Sequence, residues 1–224
     1  MLAQIGIFNY VLTNDSAMVG SYTDDGDSIA PYDKNAFIDA SKTDYDIIIP
    51  ATIKYNDQYY FVRTLASQSF RNSNIRSIKI GKFVTEIRNF ALDYCRKMKT
   101  IEFDRDSSLS IIGHSLGVGS LVTTIIFPSG VNTIKKNLFY FDDLFKNIYF
   151  GGEFVSLCYT DISQFSDLNI YVLPNYLNTT FCNRTVNVLE EFPTISSQSQ
   201  SCKRFINYDI YHLSFSNIAV FVLM

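Results

Sequence analysis

Apolar residues recur through the middle of this chain with a period of 23 or 24 residues, and that beat limits what the chain can fold into. Four short strand-like triplets carry it: Ile78-Lys79-Ile80, Ile101-Glu102-Phe103, Ile125-Ile126-Phe127 and Ile148-Tyr149-Phe150, whose first positions lie 23, 24 and 23 residues apart. Three residues before each triplet stands a large apolar anchor: Ile75, Met98, Val122 and Phe145. Eleven residues before the last three anchors come Ile87, Ile111 and Ile134, and six before them Leu92, Leu116 and Phe139. A repeat of this length that cannot bury its apolar face alone must stack against its neighbours, which is the mark of a solenoid.

Strand geometry turns the pattern into a cross-section. In each triplet the outer two side chains point inward and the middle one outward. The chain then returns through a segment with further inward anchors. Ser115, Gly117 and Gly119 in one such segment predict turns or 3₁₀ pieces there and disfavour a long helix. Successive strands are expected to pair in parallel about 4.8 Å apart, in a sheet that curves because the return segments are wider than the strands.

The run Phe83 to Ile87, then Ala91-Leu92, Cys95, Met98 and Lys99 to Phe103 resembles the BspA-like, Treponema-type leucine-rich repeats. Their usual unit places Ala-Phe, then Cys, then the strand. Ala91 fills the alanine slot, Leu92 and Phe139 the phenylalanine slot, and Cys95 the cysteine slot. Ser115 and Leu138 stand in place of alanine, and Gly119 and Asp142 in place of cysteine. The resemblance extends over roughly residues 45–185. It implies a leucine-rich repeat solenoid with a curved parallel sheet, irregular or 3₁₀ return segments and an N-terminal β-hairpin cap. It also implies a cell-surface or secreted protein of a microbe or protist.

Three parts are expected. Residues 1–44 form a hairpin cap and a polar loop, with Phe8 to Leu12 and Ala17 to Tyr22 as strands about Thr13 to Ser16, which has turn chemistry. A cap shields the apolar end of a solenoid. Residues 45–185 form the solenoid, about five strands from Ile47 to Val172, with an insertion carrying Tyr59 to Val62 in the first unit. Residues 186–224 are irregular, and the apolar Ile218 to Met224 is far short of the roughly 20 residues a transmembrane helix needs. No basic leader opens the chain, and a truncated gene product lacking leader and anchor is an open alternative.

Composition excludes some functions. At 18% charged residues and a formal net charge of -3, no basic patch invites nucleic acid. The acidic run Asp24-Asp25-Gly26-Asp27 lacks the spacing and closing Glu of a calcium loop, and no cysteine spacing suggests zinc, so neither metal nor cofactor is expected. Cys95 reads as a small filler of its slot. Cys158, Cys182 and Cys202 can supply one disulfide, and the sequence leaves the pairing open. Asn14, Asn178 and Asn183 each begin a glycosylation acceptor triplet.

One motif points to chemistry. Gly113-His114-Ser115-Leu116-Gly117 has the form of a lipase nucleophile elbow. That reading needs a helix after Ser115, but Gly117, Gly119, Val122, Thr123, Thr124 and Pro128 are poor material for one. It also needs a base later in the chain, where only His212 is available, with an orienting acid such as Asp161 or Asp167. The repeat already claims the same residues, placing Ile111 and Leu116 inward and Ser115 on the small slot.

With the inward positions assigned, the exposed strand positions make a strip. Lys79, Lys99 and Glu102 give it a charged start. Thr124, Ile126, Lys146, Tyr149 and Tyr171 follow, with Ile126 and the two tyrosines as an apolar and aromatic ridge. On the concave face of a curved array such a strip suits a protein or glycan partner, on a host or a neighbouring cell. The expected function is non-enzymatic recognition or adhesion. A purely structural repeat protein and a serine hydrolase are the alternatives.

Overall fold

The computed structural model describes residues 1–20, 36–37, 46–140, 143–160, 162–163 and 165–192. The chain opens with an antiparallel meander of β1 (Leu2–Ile5), β2 (Phe8–Thr13) and β3 (Ser16–Val19). The expected hairpin is β2–β3, and β1 adds a strand to it. The first repeat strand, β4 (Asp46–Ile49), is followed by the insertion, a second hairpin of β5 (Thr52–Tyr55) and β6 (Gln58–Leu65). Asn56 and Asp57 at its tip both take positive φ, 47° and 62°, as a two-residue turn between right-twisted strands requires.

From there each unit contributes two strands. The longer ones are β7 (Ser77–Ile80), β9 (Thr100–Phe103), β11 (Thr124–Phe127), β13 (Asn147–Phe150) and β15 (Asn169–Val172). Between them come the two-residue strands β8 (Glu86–Ile87), β10 (Ile111–Ile112), β12 (Thr133–Ile134) and β14 (Leu157–Cys158). The chain then makes a small hairpin, β16 (Thr180–Phe181) with β17 (Arg184–Thr185), and ends its described part with β18 (Asn187–Val188). The result is a curved, mostly parallel leucine-rich repeat solenoid. Its short strands continue the sheet of the cap: β1, β2, β3, β6, β8, β10, β12 and β14 follow one another, with β5 attached to β6. The antiparallel cap therefore covers the first rung and also seeds one ladder of the array.

The core follows the alternation read from the sequence. Ile47, Ile78, Ile101, Ile125, Ile148 and Ile170 stack in one inward row, none more than 6% exposed. At about 25 cal/mol per Å² of apolar surface, each contributes on the order of 2 kcal/mol relative to an exposed side chain. Two positions on, Ile49, Ile80, Phe127, Phe150 and Val172 are buried as well. Phe8 of the cap packs on Phe37 and Phe70, ring centroids 5.9 Å away in both cases, which ties the cap to the first return segment.

Two sequence expectations about register need correction. Ile112, and not Ile111, lies level with Ile87 and Ile134 in the short-strand ladder and is fully buried, while Ile111 is level with Glu86 and only half-buried. The third unit has eleven residues from Ile101 to Ile112, where Ile78 to Ile87 and Ile125 to Ile134 have nine. It then returns from Ile112 to Ile125 in thirteen, where its neighbours use fourteen. Equal spacing of the main strands hides this slip. It coincides with a seam: β4, β7 and β9 form one sheet and β11, β13, β15 and β18 another, so the main ladder is not continuous between β9 and β11. At the other junctions the Lys99, Lys146 and Asn169 amides donate to Arg76, Thr123 and Lys146 carbonyls, each at 2.8 Å, but at the seam the donor is Leu121, bonding Met98 at 2.7 Å.

The return segments are built on paired left-handed residues. Gln68, Phe90, Ser115 and Asn137 have φ of 57°, 60°, 54° and 59°, and four residues beyond the first three come Asn72, Tyr94 and Gly119 at 57°, 53° and 72°. This alignment moves the third unit by one slot. Ser115 is level with Phe90, Leu116 takes the alanine slot, Gly117 the phenylalanine slot, and Ser120 rather than Gly119 the cysteine slot; Asp142 lies outside the described residues. The cysteine slot is also more than a filler. The Cys95 thiol donates to the Phe70 carbonyl at 3.1 Å and lies 3.3 Å from Ser73 Oγ, so the slot takes a small buried donor that serves main chain in a low-dielectric interior.

At the C-terminal end Cys158 and Cys182 form a disulfide with Cα atoms 5.4 Å apart, which decides a pairing the sequence left open; Cys202 lies outside the described residues. Arg184 clamps the same hairpin, its guanidinium donating to the carbonyls of Ile162, Phe165 and Ser166. Phe181 is fully buried against Phe150. Disulfide, arginine and ring together close this end.

Candidate binding face

The outward side chains of the main strands fall into two groups of different chemistry. On the first sheet Asp46, Ile48, Ser77, Lys79, Thr100 and Glu102 point out. Here charges answer one another between rungs: Arg76 to Asp46 at 2.9 Å and Lys79 to Asp104 at 3.3 Å. Such exposed pairs are worth well under about 1 kcal/mol, but they leave a face already electrostatically matched. Lys99 and Glu102 are exposed on the third rung of this half. Ile48, 43% exposed, heads the row that Lys79 and Glu102 continue.

On the second sheet every outward residue is uncharged. One row holds Ile126, Tyr149, Tyr171 and Asn187, and the other Thr124, Asn147 and Asn169. Tyr149 and Tyr171 stand on adjacent strands and stack with centroids 4.8 Å apart and planes 17° from parallel. Partial burial, and then the neighbouring Tyr171, raise the Tyr149 phenol above its ordinary pKa. The Asn147 amide donates to Thr124 Oγ1 at 3.2 Å. Lys146, at the edge of this sheet, pairs with Asp167 at 3.1 Å, a bond that holds the exposed Asp167 carboxyl below its usual range.

The strip expected from the sequence is thus two adjoining faces. Thr124, Ile126, Lys146, Tyr149 and Tyr171 come together on one, and Lys79, Lys99 and Glu102 on the other. Sequence reading missed two contributors. Asn187 joins through β18, a strand too short to show a period. Phe192 packs edge-on against Tyr149 at 5.4 Å and beside Gly151, and no local pattern marks it. Alternation along the strands already puts Asn147 and Asn169 outward, and the Asn-Ile-Tyr triplet that occurs at both 147–149 and 169–171 marks the same amide row in the sequence.

The serine motif is accounted for by packing. Ser115 is 5% exposed and is held in its left-handed conformation with its N–H donating to the Lys136 carbonyl at 3.1 Å. The His114 N–H donates to Asn89 Oδ1 at 2.9 Å, its carbonyl accepts from the Phe90 N–H, and the Gly117 N–H donates to Leu138. No helix follows: the chain goes through turns to β11. Gly117 is the small residue over which the Phe139 ring lies, since a Cβ there would be 2.5 Å from Phe139 Cε1. His212 lies outside the described residues. Replacing Ser115 with Gly, which adopts positive φ without steric cost, should leave unfolding free energy unchanged or raise it by up to about 1 kcal/mol. Turnover of a p-nitrophenyl ester that disappears in Ser115→Gly would contradict this account.

Residues 63–185 match the BspA type leucine rich repeat region in six copies. No curated protein matches the chain. Among solved structures, a leucine-rich repeat protein from Bacteroides capillosus ATCC 29799 is similar, with a TM-score of 0.51 and 16% identity over 71% of this chain and 98% of that one. The pneumococcal vaccine antigen PcpA is similar at TM-score 0.52 and 19% identity, over 85% of this chain, which spans 50% of the PcpA chain. At these identities the likeness is one of fold. Repeat register, paired left-handed turns and the match over more than half the chain agree: this protein belongs to the BspA type leucine-rich repeat family.

Proposed function

We propose that the chain is a non-enzymatic recognition or adhesion module that holds a protein or glycan partner on the exposed face of its main strands, at a cell surface or after secretion. The observation that carries this is the uncharged ridge of Ile126, Tyr149 and Tyr171, half-buried among the described residues, on a sheet whose other face is core. Aromatic rings fixed by stacking lose little freedom when a partner arrives, which favours them at recognition surfaces. An extracellular setting is supported by the disulfide, a bond that persists in oxidising compartments. The acceptor asparagines Asn14, Asn178 and Asn183 are all exposed, and one structurally similar protein is described as a vaccine antigen.

The test is substitution of the ridge. Tyr149→Ala with Tyr171→Ala should reduce binding to host cells or matrix by tenfold or more, about 1.4 kcal/mol, with the unfolding midpoint close to wild type. Wild-type binding that both substitutions leave intact would favour a purely structural role for this face.

A further inference from the structure

We infer that the ligand of the second sheet is a neutral oligosaccharide, recognised by its hydroxyls and its C–H faces; this rests on the reading of the face given above and narrows it to one class of partner. Size argues first. Three strands with two outward positions each, and a fourth with one, at about 4.8 Å spacing give a neutral area roughly 14 Å by 7 Å. A stable protein interface buries about 800 Å² on each partner, several times more than this patch supplies before the ion-paired half begins. Two or three sugar rings fit it.

Chemistry argues second. Sugar hydroxyls both donate and accept, and a side-chain amide does the same from one planar group. Asn147, Asn169 and Asn187 each spend one N–H internally, on Thr124 Oγ1, the Asp167 carbonyl and the Ile170 carbonyl at 3.2, 3.4 and 3.2 Å. That single bond fixes each amide plane and leaves its oxygen and second N–H for a ligand. The groups are pre-oriented, so little rotamer freedom is lost on binding. Beside them the stacked rings of Tyr149 and Tyr171 offer apolar surface and two hydroxyls. Charge argues third: Lys146 at the edge of the sheet is paired with Asp167, and among the described residues the outward positions of the sheet carry no charge to select sulfate or carboxylate.

The experiment presents the whole chain to an array of immobilised neutral, sialylated and sulfated oligosaccharides, alongside Tyr171→Ala, Asn169→Ala and the milder Tyr171→Phe. Retention on neutral members is expected, with a loss of about tenfold in each alanine variant and a smaller loss in Tyr171→Phe, all three variants keeping the wild-type unfolding midpoint. Binding to anionic members alone, binding unaffected by Tyr171→Ala and Asn169→Ala, or no retention anywhere would each overturn the assignment. Cell binding that depends on Tyr149 and Tyr171 but survives periodate oxidation of the cell's sugars would remove the carbohydrate and leave the face standing. Cell binding indifferent to both tyrosines would remove the face itself.

Discussion

Gly113→Ala should lower the unfolding free energy by about 3 kcal/mol or more, at the upper end of what overpacking costs. A Cβ at this position would sit 2.6 Å from the Arg88 carbonyl carbon, 2.7 Å from the Asn89 nitrogen and 2.8 Å from Asn89 Oδ1. Two of those three atoms are main chain of the preceding unit, so relief requires two rungs to separate and not one side chain to swing aside. The Asn89 amide also holds the His114 N–H, so the same displacement loosens a hydrogen bond. Gly6→Ala is the matched control. At φ 61° with nothing within 4 Å it carries only the left-handed penalty, about 1 kcal/mol. Equilibrium denaturation of both variants checks the ranking, and near-equal effects would show that the rungs are not in the close contact described. The residue that opens the supposed catalytic motif is thereby given a different job, as the place where consecutive turns of the solenoid touch.

Removing the Cys158–Cys182 disulfide should cost nearly as much, but only locally. Closing a loop of 24 residues removes about 3.5 kcal/mol of denatured-chain entropy on the loop-closure estimate. In a repeat array stability is close to a sum of unit and neighbour contributions. The loss should therefore fall on the last rung and the β16–β17 hairpin, while units near Ile78 and Ile101 keep their protection. Cys158→Ala with Cys182→Ala, followed by limited proteolysis and hydrogen exchange, should show early cleavage and fast exchange between about residues 155 and 190 with little change before the seam. Uniform loss of protection along the chain would mean that the array unfolds as one unit and would refute this prediction.

How far the sequence could be read depended on how many residues carried each signal. The main strands were legible because four residues with period two, such as Asn147 to Phe150, show which side is buried. The short strands were not, since two residues have no period, and Ile111 beside Ile112 offers two identical candidates for one slot. Register there was set by an insertion between Ile101 and Ile112 that equal main-strand spacing concealed. The left-handed positions were hidden for a different reason. Gln68, Phe90, Tyr94 and Ser115 are ordinary residues forced to positive φ by stacking, where a local reading looks for Gly or Asn. On the proposed binding face the ridge of Ile126, Tyr149 and Tyr171 followed from alternation alone. Its Phe192 neighbour and the choice of Cys182 as the partner of Cys158 are long-range facts with no local mark.

The seam between β9 and β11 has a mechanical meaning. The junctions on either side of it, β7–β9 with β8–β10 and β11–β13 with β12–β14, are tied on both flanks, so bending them would stretch a row of hydrogen bonds on whichever side opens. Here the short strands β8, β10 and β12 remain joined while the main strands do not. The array can therefore gape at this place about an intact spine, and the charged and neutral halves can tilt against each other without either losing its own geometry.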